Sequence, residues 1–220
     1  MRNGPFQFVA ALVAVSIAAG VGAAQAAPRR PASARDSMYV VKARTDSARL
    51  PYTDADIYFM KGMIAHHAQA IVMAKWAPTH GASESVRTLC ARIINAQGDE
   101  ITLMQQWLRD RNQVVPAAVP APMKMKMNGT EMEMLMPGML TDAQLAQLDS
   151  ARGSDFDKLF LKDMIQHHRG AVSMVKDLFA TAGAGQDQTV FKFATDVNVD
   201  QTTEIARMQH MLGDMIVGAP

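Results

Sequence analysis

A motif written twice constrains this chain more than any other feature. Asp54-x-Asp56-x-x-Phe59-x-x-x-Met63-Ile64-x-His66-His67-x-x-Ala70-x-x-Met73 returns 101 residues later as Asp155-x-Asp157-x-x-Phe160-x-x-x-Met164-Ile165-x-His167-His168-x-x-Ala171-x-x-Met174. The repeat extends into the segment after each copy. Gln97-x-x-Glu100-Ile101-x-x-Met104-x-x-Trp107-Leu108 is matched by Gln201-x-x-Glu204-Ile205-x-x-Met208-x-x-Met211-Leu212 at an offset of 104, which puts three extra residues in the second half. Helical periodicity over about 53–77, 83–112, 154–181 and 187–217 predicts two αα-hairpins. Each hairpin buries its apolar face only against the other, so the expected fold is all-α, a four-helix bundle of two repeated hairpins.

Local chemistry sets the expected boundaries. Thr53 and Ser154 are read as helix N-caps, with Asp56 and Asp157 three residues on in a capping-box arrangement. Asp54 and Asp155 add negative charge where the helix dipole favours it. Pro78 and Gly81 end the first helix, Gly183 and Gly185 the third. Strand signals are read as absent. The domain layout is then a signal peptide over 1–27, a flexible lead-in over 28–50 and one bundle domain over 51–217. Within that domain, hairpin one covers 53–112, a Met-rich linker 113–140 and hairpin two 141–217. A short helix opened by Thr141, with Gln144 at its capping-box position, is expected after the linker.

Arg2, the apolar stretch from Phe6 to Ala19 and Ala24-Gln25-Ala26 form an export signal, so the mature chain is expected to be periplasmic or secreted, without a membrane span. Removing Arg2 leaves 21 basic against 21 acidic residues, a balance that points away from nucleic acid as partner. Cys90 is the only cysteine, which excludes an intramolecular disulfide. It lies on the apolar face of its helix and is read as a small buried hydrophobe.

Four of the six histidines sit in the two motif copies, each pair flanked by methionine. Imidazole with thioether is a ligand set for soft metals. On a helical wheel Met63 and His67 lie mid-face, with His66 and Met73 on the shoulder and Lys61, Ala65, Ala68 and Lys75 outside. Met164 and His168, with His167 and Met174, repeat this. Neighbouring histidines diverge by about 100°, so one of each pair is expected to serve the core and the other a neighbouring helix. Met104 and Met208 are expected opposite Met63/His67 and Met164/His168, with Glu100, Glu204, Gln97 and Gln201 as hydrogen-bond partners of the imidazoles. The alternative is that all these side chains are packing, the methionines filling gaps.

The linker holds Met123, Met125, Met127, Met132, Met134, Met136 and Met139, seven methionines in seventeen residues. Alternation puts successive thioethers on one side of an extended chain, and thioethers suit Cu(I) or Ag(I) far better than Zn(II) or Mg(II). A Met-rich surface for a protein partner is the competing reading.

Over 53–112 and 154–213 the chain resembles the family labelled domain of unknown function 305, which includes CopM-like periplasmic copper-binding proteins. The resemblance rests on the two Asp/Phe/Met/His-His/Ala/Met motifs and the two Gln-x-x-Glu-Ile-x-x-Met stretches. It implies a ferritin-like bundle and, for some members, Cu(I) or Ag(I) binding linked to copper tolerance. Met211 departs from the first copy's Trp107.

The combined expectation is a non-enzymatic, exported copper-binding protein taking Cu(I), with Ag(I) or Cu(II) as alternatives, and exchanging it with other periplasmic copper-handling proteins. A ferritin-like di-iron oxidase is the main alternative. That chemistry uses Glu-x-x-His on two helices, and Ile64 and Ile165 occupy the required Glu positions. A metal-independent interaction module working through the linker is the third reading.

Overall fold

The computed structural model describes residues 51–127 and 130–218. The expected signal peptide and lead-in over 1–50 lie outside the described residues. The elements are α1 (Asp54–Lys75), α2 (Glu84–Asp110), strands β1 (Met123–Met127) and β2 (Thr130–Met134), a short α3 (Asp142–Ser150), α4 (Gly153–Ala180) and α5 (Gln188–Val217). The chain is thus mostly helical. Helix α1 packs along α2, α4 packs along α5, and α1 meets α4.

Capping chemistry explains several of these boundaries. Thr53 opens α1 with a reciprocal capping box, the Asp56 amide donating to Thr53 Oγ1 at 3.2 Å and the Thr53 amide to Asp56 Oδ2 at 2.7 Å. Thr141 and Gln144 do the same for α3. Asp187 caps α5 by accepting from the Thr189 and Val190 amides, and its carboxylate also takes the Trp107 indole N–H at 3.0 Å and pairs with Arg111. That buried carboxylate ties the end of α2 to the start of α5.

Two expectations need correction. Ser154 does not cap α4: the helix starts at Gly153 with Arg152 before it, and no side chain caps it. The reason is tertiary. Gly153 turns with a φ of 57° and donates its N–H to the His80 carbonyl at 2.8 Å, which carries Ser154 into the first turn. Asp157, freed from capping its own helix, accepts from the Ser83 amide at 3.1 Å, at the N-cap of α2.

The linker does contain strands. β1 and β2 form an antiparallel pair in which Met123 faces Met134 and Met125 faces Met132, alternating with Lys124–Glu133 and Lys126–Glu131. The signal was present in the alternation and in Asn128-Gly129, the dipeptide most typical of a two-residue hairpin connection.

Ala65 and Ala68 were expected on an outer face but are buried, as is most of α1. The stretch from Met136 to Leu140 explains part of this coverage. Met136 lies against Gly62, the Pro137 carbonyl meets His66, and Leu140 is held by Gln69, so the strap follows one helical face of α1. No helix among the described residues is long and apolar enough to cross a membrane.

Candidate metal centre

His66 and His67 on α1 and His167 and His168 on α4 are all fully buried. Where the two helices meet, the His66 and His167 rings lie face against face, with centroids 3.8 Å apart and planes tilted by 36°. Within each pair the ring centroids are 6.2 Å apart (His66–His67) and 6.3 Å apart (His167–His168). All four imidazoles therefore form one continuous cluster across the α1–α4 contact.

Each histidine pair is supported in the same way on its outer side. His67 Nε2 lies 2.8 Å from Glu100 Oε2 on α2, and His168 Nε2 lies 2.8 Å from Glu204 Oε2 on α5. The second contact has hydrogen-bond geometry; the first is as close but lies off the bonding direction. The expected Glu partners are thus in place. Gln97 and Gln201, offered as alternative partners, are buried but do not bond the imidazoles: both amide atoms of Gln97 and the Oε1 of Gln201 have no hydrogen-bond partner.

On the inner side the cluster is left open electronically. The Nδ1 atoms of all four histidines and the Nε2 atoms of His67 and His167 are buried without a hydrogen-bond partner. His66 Nε2 is within 3.0 Å of the Pro137 carbonyl. Burial, reinforced by neighbouring His67, pushes the His66 imidazole down to about 3, against the opposing pull of the Pro137 carbonyl. Burial and the adjacent His66, His168 and His67 likewise hold His167 well below its ordinary value. Both rings are neutral at physiological pH, with lone pairs available to a Lewis acid. An unpartnered buried polar atom is costly, so six in one cluster call for explanation.

The core methionines fall into two groups. Met63, Met104 and Met174 share one core cluster with Met136 and Met139, while Met73, Met164 and Met208 share the other. Each trio draws on both hairpins, from α1, α2 and α4 in the first and from α4, α5 and α1 in the second. Met63 and Met104 fall together, as do Met164 and Met208. The linker methionines divide by burial. Met136 and Met139 are buried, Met123 is partly buried, and Met132 and Met134 are exposed on β2. Met125 and Met127 are described by backbone alone, in β1.

No group of three or more His, Cys, Asp or Glu side chains among the described residues could hold a metal ion. A core site would therefore draw on imidazoles, with thioethers as further neutral donors. Such a donor set carries no charge in a fully buried place. Desolvation cost rises with the square of the charge, so such a place would favour a soft monovalent ion over a divalent one.

The strap was not foreseen in the sequence. Gln69 and Gly170 occupy the same position in the two motif copies, and both serve it. Gln69 clamps Leu140 through its N–H at 2.7 Å and its C=O at 2.9 Å. Gly170 makes room: a Cβ there would sit 1.9 Å from the Pro137 oxygen. A glycine inside a helix and a Pro-Gly step in the linker were the signals, but nothing local pairs them.

Among curated proteins none matches the chain. Solved structures do. A candidate secreted protein from Streptomyces coelicolor is 28% identical, with a TM-score of 0.61 over 73% of this chain and 93% of that one. A fragment from Deinococcus radiodurans is 26% identical, with a TM-score of 0.60 over 74% of this chain and 98% of that one. CopM in its Cu(I)-bound form is 26% identical, with a TM-score of 0.55 over 74% of this chain and 98% of that one; CopM is also known in Cu(II)-bound and Ag-bound forms. The model of the family described as domain of unknown function (DUF305) matches residues 56–212, which take in both His-His pairs and the strap between them, and the chain belongs to that family.

Proposed function

We propose that this protein is an exported, non-enzymatic copper-binding protein, a four-helix bundle of two repeated hairpins that holds Cu(I) in its core for sequestration or transfer. The observation that carries this reading is the set of four fully buried histidines whose Nδ1 atoms all lack a hydrogen-bond partner. The unpartnered Nδ1 atoms of the four clustered histidines would supply the nitrogen donors, at metal–nitrogen distances of about 2 Å. Glu100 and Glu204 would then hold the opposite nitrogens of His67 and His168, the orienting contact that metal-bound imidazoles typically make. Met63 and Met164 are the nearest candidates in sequence for a further thioether, with Met104, Met174, Met73 and Met208 in the same clusters.

CopM, a similar fold with Cu(I)-, Cu(II)- and Ag-bound forms, supports copper as the ion and silver as its surrogate. Exposed Met132 and Met134 on β2 favour a second role for the linker, as a low-affinity copper site or as a docking surface for another copper-handling protein.

Anaerobic Cu(I) titration against a competing chelator tests the core site. Wild-type protein should withhold Cu(I) from the chelator, and His66→Ala/His67→Ala/His167→Ala/His168→Ala should not. Equal competition by both proteins would sink the reading. Deleting 123–134 should leave the tight site and remove any weak linker site.

A further inference from the structure

Between α2 and α5 lies a cavity of about 440 Å³, and all of its lining comes from these two helices. Glu100, Glu204 and Asp200 bring carboxylates to it, Arg92 a single guanidinium, and Gln97 and Gln201 their amides. Two features set this cavity apart from an ordinary acidic groove. Gln97 and Gln201 are 97% and 96% buried (3% and 4% exposed), yet Gln97 Oε1 and Nε2 and Gln201 Oε1 have no hydrogen-bond partner. Second, the cavity's two glutamates are the residues that touch His67 and His168, at 2.8 Å each. Glu100 and Glu204, still 21% and 23% exposed, therefore stand between the cavity and the fully buried imidazoles.

We infer that this cleft is the entry vestibule of the core, a capture site in which Glu100, Asp200 and Glu204 attract a monovalent cation and the Gln97 and Gln201 amide oxygens help strip its water before it passes to the histidines. This rests on the copper reading above. The field in the cleft has the required sign: Asp200 titrates high from burial and from the nearby Glu100, Asp196 and Glu204 carboxylates, with Lys192 opposing. Three carboxylates outnumber the single Arg92 guanidinium, and a low-dielectric cleft with such an excess of one sign focuses the field and raises the local concentration of counter-ions. The two glutamates pass the ion on without holding it, because a neutral imidazole and thioether set binds a soft ion better than carboxylate does. Asp200 has no counterpart in the first half of the repeat, where Ala96 stands. The vestibule thus gains its third carboxylate from the second hairpin alone.

The test is stopped-flow uptake of Ag(I), supplied as silver nitrate so that the arriving species is a free monovalent cation, by the full-length mature protein. Asp200→Asn keeps size and touches no histidine. It should slow association about three- to tenfold at low ionic strength, with the deficit vanishing as sodium nitrate screens the cleft. Dissociation should slow in parallel, leaving the equilibrium affinity within about twofold of wild type. Glu100→Gln/Glu204→Gln should slow uptake further, and Asp142→Asn, on the distant α3, should change nothing. An unchanged association rate in Asp200→Asn, with tight binding intact, overturns the vestibule and leaves the core site standing. Weakened affinity at an unchanged association rate also overturns it, because Asp200 would then act as a ligand. Wild-type protein that takes up no Ag(I) removes the core reading and the vestibule together.

Discussion

Asp56 and Asp157, equivalent residues of the two motif copies, each reach into the loop of the opposite hairpin. Asp56 Oδ1 accepts the Gly185 amide at 2.7 Å, and Asp157 accepts the Ser83 amide at 3.1 Å. Both carboxylates are buried. The exchange locks the two hairpins at both ends of the α1–α4 contact, which is where the histidines meet. An acidic residue that reads as a local cap is therefore also a tie across the whole fold.

Removing either tie leaves a buried or half-buried amide without its acceptor. Asp157→Ala should cost about 1–3 kcal/mol. Asp56→Ala should cost more, since it also dismantles the Thr53 capping box, worth about 1 kcal/mol. Urea denaturation checks both. A loss under about 0.5 kcal/mol for Asp157→Ala would mean that the Ser83 amide finds water instead.

The strap makes a sharper steric prediction. Gly170→Ala places a methyl 1.9 Å from the Pro137 oxygen and 2.6 Å from the Gly138 Cα, so backbone has to move, at about 1–3 kcal/mol or more. Gly62→Ala meets only the flexible end of Met136 and should be tolerated better. Limited proteolysis between Pro137 and Leu140 should speed up in Gly170→Ala and in Gln69→Ala, and not in Gly62→Ala.

Cys90 should be silent toward thiol reagents. Burial, with the Asp157 carboxylate adding to it, pushes the thiol up to about 12. The thiolate that reacts is therefore almost absent at pH 8. The native protein should give no colour with Ellman's reagent at that pH, and one equivalent once unfolded in guanidinium. Rapid reaction of the folded protein would show that α2 opens locally.

Packing and ligation by the core methionines can be separated. Met63→Leu and Met164→Leu conserve volume and should change the stability of the metal-free protein by less than about 1.5 kcal/mol. If their sulfurs take part in the site, the same variants should weaken Cu(I) binding. In a thermal melt, saturating Cu(I) should raise the wild-type Tm, because the ion binds only the folded core. The His67→Ala/His168→Ala variant should lose most of that increase.

Much of the helical framework was legible along the chain because its determinants are local. The Thr53/Asp56 and Thr141/Gln144 boxes act within four residues, and apolar periodicity marks each helix regardless of its partner. The β-hairpin is equally local, in the Met/Lys and Met/Glu alternation around Asn128-Gly129, but its signal is faint because methionine is a weak strand former next to β-branched residues. Ser154 failed as a cap for a different reason: the Gly153–His80 backbone bond, between residues 73 apart, decided where α4 begins.

The residue types of the candidate metal centre were decided by the sequence alone: two His-His pairs, their flanking methionines, and Glu100 and Glu204 one helix away. Their mutual arrangement was not. That His66 rests on His167, that each methionine trio is drawn from both hairpins, that the strap follows Gly62, His66 and Gln69, and that Asp200 joins two glutamates in one cleft are all consequences of how α1 meets α4 and how α2 stands beside α5. Hydrogen bonds and caps act over a few residues and can be read from their spacing. Ring contacts, burial and shared cavities depend on packing between segments about a hundred residues apart, and no local pattern records it.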